Sequence, residues 1–143
     1  MELSTTLELH EVTIVHGSLR DPLWEYLVSP TVANHTFALM NTPLCLVGHS
    51  HIPFLCRQEE NGPVFHRLSQ NMPLETGDQR LIINPGGVGQ PRDGDTRSSY
   101  ILYDIDHAIL WHHRVDYDIH ATQAKMHQVG LPDMLIQRLS VGH

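Results

Sequence analysis

Three histidines and one glycine-rich loop are the residues of this sequence best suited to chemistry. His49 and His51 stand in Gly48-His49-Ser50-His51, directly after the apolar run Leu44-Cys45-Leu46-Val47. On a strand, residues i and i+2 share a face, so the two imidazoles project together unless the chain turns there. Adjacent neutral imidazoles are a natural start for a divalent metal site. Two exposed histidines at a strand end explain the same motif without a metal. His16 has a matching place, after Val12-Thr13-Ile14-Val15 and before Gly17-Ser18. The loop Asn84-Pro85-Gly86-Gly87-Val88-Gly89 follows another apolar run, Leu81-Ile82-Ile83. Free backbone N–H groups in such a loop can approach an anion. Asn84, Gly86, Gly89 and the nearby Arg92 are therefore the candidate anion-binding residues. A turn requiring positive φ at a glycine explains the run equally well, and Arg92 with Asp93, Asp95 and Arg97 also suits a charged surface loop.

The elements that must position these residues can be read from pattern. Leu7–Leu9 and Val12–Val15 predict two strands joined by a tight turn at His10-Glu11. Asp21-Pro22 predicts the N-cap and first residue of a short helix through Leu27, and Ser29-Pro30 repeats the signature for a helix to about Met40. Leu44–Val47 and Leu81–Ile83 read as strands buried on both faces. Ile52–Gln58 and Val64–Leu68 flank Asn61-Gly62, a strong hairpin signal. Ser99–Ile105 and Ile109–Val115 form a further hairpin around Asp106-His107. Helices are expected over Ile119–Gln128, with a stop at Gly130, and over Pro132–Leu139. The fold class is α/β or α+β, in packed layers.

Composition narrows the function. The 143 residues include 12 His, 9 Lys and Arg together, and 16 Asp and Glu, for a net charge of −7 with His neutral. A non-specific nucleic-acid surface is not expected, because such affinity comes mainly from Lys and Arg on phosphates. No apolar run reaches the ~20 residues of a membrane span, and Met1–Ser4 opens neither the basic nor the apolar region of a signal peptide. A cytoplasmic location is the expectation. Cys45 and Cys56, the two cysteines, have no C-x-x-C spacing and read as reduced thiols. With no repeat or linker in view, residues 1–143 read as a single unit.

Three ordered stretches resemble the calcineurin-like metallophosphoesterases, and most closely a small bacterial and archaeal phosphodiesterase-like branch. They are Val15-His16-Gly17-Ser18 with Arg20-Asp21-Pro22-Leu23-Trp24-Glu25-Tyr26, Val47 through Pro53, and Ile83 through Asp95. Ser50 stands where that family usually has Thr, and Gly87 where it usually has Ser. The resemblance implies part of a four-layer α/β/β/α sandwich with a two-metal site at strand ends. By likeness His16 and His49 would bind one divalent ion and His51 the other, with Asn84, Gly86, Gly89 and Arg92 kept as the candidate phosphate loop. Mn, Fe, Zn and Ni are not distinguished. The implied reaction is hydrolysis of a phosphomono- or diester.

The resemblance also implies Asp-x-His, Gly-Asp and Gly-Asn-His-Asp/Glu motifs ahead of the first strand, and none stands there. Asp118-Ile119-His120 copies the first in letters but at a helix start; Gly77-Asp78 and Gly94-Asp95 fall in polar loops, and Asn34-His35 falls mid-helix. The sequence thus reads as the C-terminal portion of such a domain, lacking its N-terminal strands and not competent alone. An exposed apolar sheet face is expected, covered by a separate N-terminal half-domain chain or by self-association. The rival readings are a non-catalytic metal-binding or interaction module of the same fold and, third, a rearranged site using Asp118. The nine histidines other than His16, His49 and His51 are expected on the surface.

Overall fold

Leu7 and Leu9 alternate with Glu8 in the first strand, β1 (Thr6–Leu9), which turns through His10-Glu11 into the antiparallel β2 (Val12–Val15). In the computed structural model, which describes residues 4–143 and leaves Met1–Leu3 outside, this hairpin edges a six-stranded sheet. Next to β2 lies β3 (Leu44–Leu46), parallel to it, and next to β3 lies β7 (Leu81–Asn84), again parallel. Strands β4 (Phe54–Glu59) and β5 (Gly62–His66) complete the order β1-β2-β3-β7-β4-β5 as an antiparallel hairpin. A second sheet holds β8 (Ser98–Asp104) and β9 (Ile109–Val115), with the short β6 (Pro73–Glu75) on the far edge of β9.

The sandwich follows from which residues each face carries. Helix α1 (Pro30–Leu39) starts at Ser29, whose hydroxyl accepts from the Val32 amide, with proline preset for the first turn. It buries Ala33 and Phe37 against Val15, Cys45, Phe54 and Ile82 of the large sheet. Burying a side chain the size of Phe37 contributes roughly 2–3 kcal/mol. Arg80 donates to the Phe37 and Met40 carbonyls at 2.6 and 3.0 Å, satisfying orphan acceptors at the end of α1. The opposite face of the sheet, Val12, Leu44, Leu55, Leu81 and Ile83, packs with Leu110 and Leu74 of the second sheet. The layers are therefore helix, large sheet, small sheet. Helices α2 (Ile119–Gln128) and α3 (Asp133–Gln137) pack on each other, and α2 buries no residue.

Several expectations are corrected. Asp21–Leu27 is not a helix. Asp21 Oδ1 does accept from the Trp24 amide at 3.2 Å, but the Asp21 and Pro22 carbonyls are taken by the amides of Ser18 and Gly17. The fourth strand starts at Phe54 and not Ile52, because His51 has φ 59° and leaves extended geometry. Strand β6 is unforeseen in the sequence. His112, expected at the surface, is 4% exposed.

The inner face of the large sheet is only partly covered. Along one register row Leu7 faces Ile14 and Ile14 faces Leu46, and in the next row Leu9 faces Val12 and Val12 faces Leu44. Toward β3 and β7 these rows are buried, yet Leu7 is 48% and Leu9 49% exposed, and Ile14 39%. This is an apolar sheet face open to solvent, bordered by a cleft of about 510 Å³ whose wall includes His16, Gly48 and Pro85.

Candidate metal centre

His16 leaves the end of β2 and His49 leaves the end of β3, two parallel neighbours, so strand pairing alone brings the two rings together. The Gly48 amide donates to the His16 carbonyl at 2.9 Å and extends the pairing past the last ladder residue. The His16 Nε2 and His49 Nδ1 atoms are then 2.9 Å apart, one ring donating to the other. Gly17 must be glycine for His16 to sit here: a Cβ would lie 2.8 Å from the Asp21 carbonyl oxygen and 2.9 Å from that of Glu25. The loop that wraps over it is tied by Glu25, which accepts from Ser18 and pairs with Arg20. Its Tyr26 lies flat on His49, ring centroids 4.1 Å apart and planes within 14°. Sequence spacing gave no signal for that stacking partner.

The Gly48–His51 segment is a turn, not the end of a strand. His49 and His51 both take left-handed backbone, φ 60° and 59°. The turn, and not strand alternation, therefore sets where the two side chains go. His51 Nδ1 lies 2.6 Å from the Gln90 carbonyl oxygen. A carbonyl only accepts, so Nδ1 carries the proton and Nε2 keeps its lone pair, the arrangement of a metal-ligating histidine with a backbone partner behind it. Burial pushes the His51 pKa down, the Gln90 contact opposes this, and Arg92, His49 and His16 add to the lowering. The ring is thus kept in the neutral form that a ligand needs.

Asn84 is fully buried and holds two loops at once. Its Nδ2 donates to the Gly48 carbonyl at 2.7 Å and to Ser50 Oγ at 3.0 Å, and its Oδ1 accepts from the Gly86 amide at 2.9 Å. Asn84 thus positions the histidine turn against the glycine loop. Gly86 has φ 88° and presses on Ser99, while Gly87 lies under His51. Gly89 is open on the surface, with nothing within 4 Å of an added Cβ. Arg92 donates from its amide to the His51 carbonyl, and its Nη2 to Gln90 Oε1 at 2.8 Å. Of the four anion-binding candidates, Arg92 is the cation next to His51.

Whether these residues suit a divalent ion can be tested on the distance between the first two rings. Nitrogens sharing an ion at ~2.1 Å lie about 3.0 Å apart at an octahedral 90° and about 3.4 Å at a tetrahedral angle. The 2.9 Å His16–His49 spacing suits the first once the proton between the rings is lost. Among the described residues no group of three His, Cys, Asp or Glu side chains converges. Asp118, the alternative carboxylate, caps α2 by accepting from the Ala121 amide at 2.8 Å. Asn34-His35 lies within α1, and Gly77 and Gly94 serve as loop residues with positive φ.

Known proteins share this arrangement of the chain. The crystal structure of a metallophosphoesterase from Sphaerobacter thermophilus is 42% identical and superposes with a TM-score of 0.93, covering 99% of this chain and 59% of that one. A hypothetical protein of Pyrococcus horikoshii, 15% identical with a TM-score of 0.69, shares the fold over 99% of this chain and 52% of its own. An uncharacterized protein of Methanocaldococcus jannaschii is 36% identical over 133 residues, 92% of this chain. The chain spans about half (52%) of that relative's length. The family model for the calcineurin-like phosphoesterase superfamily domain matches residues 2–108, and the chain belongs to that superfamily.

Proposed function

We propose that this chain carries the imidazole side of a metal-dependent phosphoester hydrolase, completed by a segment that supplies carboxylates. The observation that carries the reading is the 2.9 Å approach of His16 Nε2 to His49 Nδ1 across adjacent parallel strand ends. In this reading His16 and His49 hold one divalent ion and His51, through Nε2, a second. Bound Mn, Fe, Zn or Ni would supply the Lewis acidity that phosphoester hydrolysis uses. The chain's own residues do the positioning. Gln90 orients His51, Asn84 fixes the histidine turn against the glycine loop, Tyr26 orders His49, and Arg92 attracts a phosphoryl oxygen of a small phosphomono- or diester. The completing segment, an N-terminal half-domain chain or a second copy of this one, lies on the open Leu7–Leu9–Ile14 face, beside His16. Two free, buried thiols suit a cytoplasmic setting.

The rival reading is a non-catalytic metal-binding or interaction module of the same fold. Bis(p-nitrophenyl) phosphate turnover with Mn²⁺, with and without an added N-terminal half from a longer relative, separates the two. Turnover gained on addition and lost in His49→Ala supports the hydrolase. Tight binding of one ion, lost in His49→Ala, with no turnover in either mixture supports the module.

A further inference from the structure

Outside the imidazole site, between the two sheets, a pocket of about 380 Å³ carries cations and no carboxylate among its lining residues. Its base is apolar, Leu55 and Leu110, with Leu68 and Leu74 beside them. Arg57 and Arg67 also line it. Arg20, Arg97 and Arg114 are paired with Glu25, Asp95 and Asp93. Arg57 and Arg67 have no carboxylate within 4.0 Å among the described residues. Glu59 is turned to His66 at 3.7 Å on the exposed rim, and Asp93 and Asp95, which face His112 from the neighbouring pocket, are paired with Arg114 and Arg97.

Two buried nitrogens in the lining have no hydrogen-bond partner: Arg57 Nε and His112 Nδ1. His112 is 4% exposed, and its other nitrogen is fixed by Ser99 Oγ at 2.7 Å. Arg57 Nε is an unpaired buried donor, which a bound acceptor would satisfy. Ser99 donates to the Pro85 carbonyl, so His112 donates from Nε2 to Ser99 and its Nδ1 is an acceptor. A half-apolar concavity with a few convergent polar groups has the general form of a small-molecule site.

We propose that this pocket binds a small organic anion, one oxyanion group on an apolar body about the size of a phenyl ring. The oxyanion meets Arg57 and Arg67, and the body lies on Leu55 and Leu110. This site does not depend on the metal reading. The experiment is calorimetric titration of the metal-free chain, in EDTA, with phenyl phosphate, inorganic phosphate and benzyl alcohol. Phenyl phosphate is expected to bind at least tenfold tighter than either of the others, since only it carries both halves. Arg57→Gln and Arg67→Gln should each weaken it at least fivefold. Met72→Trp, a rim change at a position 59% exposed, should block it without touching a cation. The same affinity is expected on a His49→Ala background. Equal affinity for phosphate and phenyl phosphate, no measurable binding, or binding unmoved by all three pocket variants would overturn the proposal. Loss in His49→Ala alone would place the anion at the imidazoles and overturn it equally. Thermal transitions of each variant, matched to the parent, separate a lost site from a lost fold.

Discussion

His49 and His51 both sit in backbone that L-residues avoid, at a cost of roughly 1–2 kcal/mol each. Such strain persists where its surroundings over-determine it, and Asn84 is the main restraint. It ties the Gly48 carbonyl and Ser50 hydroxyl to the Gly86 amide. Asn84→Ala should therefore lower stability by about 3 kcal/mol, since it strands buried polar groups on two loops. Urea unfolding checks this, and a loss below 1 kcal/mol would show that the turn holds itself. At this scale the histidine motif is legible in the sequence and its backbone geometry is not. The H-x-H spacing implies a shared face through strand alternation, whereas the chain turns there. The letters of the glycine loop do not reveal that Asn84 bonds across to Gly48 and Ser50. His112 does carry a signal in the sequence: in β9 it stands two residues from Leu110, on the same inward face.

The elements show where local signals suffice. Ser29-Pro30 and Asp118 mark helix starts because a cap is local chemistry. Asp21-Pro22 carries the same letters, but Gly17 and Ser18 compete for its carbonyls, and the turn never propagates. Strand β6 is three residues beginning at a proline and exists only through pairing with β9, more than thirty positions away. The glycine loop gives a sharper test of the same contrast. Gly86 has φ 88°, and a Cβ there would lie 2.7 Å from Ser99 Oγ, whereas Gly89 is open. Gly86→Ala should destabilise by 2 kcal/mol or more as an order of magnitude, and Gly89→Ala by less than about 0.5 kcal/mol. Equal effects, measured side by side in urea, would refute this account of the loop.

The Gly86 contact passes through Ser99 to His112, which links the loop to both strands of the small sheet. Ser99 Oγ donates to the Pro85 carbonyl and meets His112 Nε2. Burial is the main cause that lowers the His112 pKa from 6.5; Arg114 and His113 lower it further, while Asp93 and Asp95 oppose them. A histidine with a lowered pKa binds fewer protons folded than unfolded, so its contribution favours folding less as pH falls. Stability should be level with respect to this group above pH 6.5 and decline below it, toward the lowered value. His112→Asn should flatten that part of the profile. Unfolding free energies of both proteins between pH 7.5 and 5 decide it, and parallel curves would remove His112 as the cause.

At the scale of the whole molecule, the two faces of the large sheet differ in completeness. One is sealed by α1, with Ala33 and Phe37 at 0% exposure. The other is sealed over β3, β7 and β4 and then opens across β1 and β2, where Leu7, Leu9 and Ile14 meet solvent. Contiguous exposed leucine and isoleucine on a sheet face, with β1 as a free edge strand, favour pairing with another polypeptide. The longer relatives have about as much chain again as this one, so a covering segment has room to exist in them. Without it, the expected outcome is reversible association of the isolated chain. Sedimentation over a concentration series should give a rising mass, and Ile14→Lys should return it to the monomer value while preserving the thermal transition. Adding an N-terminal half from a relative should compete with that association, because both would occupy the same face. A monomer at every concentration, or association unmoved by Ile14→Lys, would place the covering surface elsewhere. It would also remove the route by which carboxylates are brought beside His16.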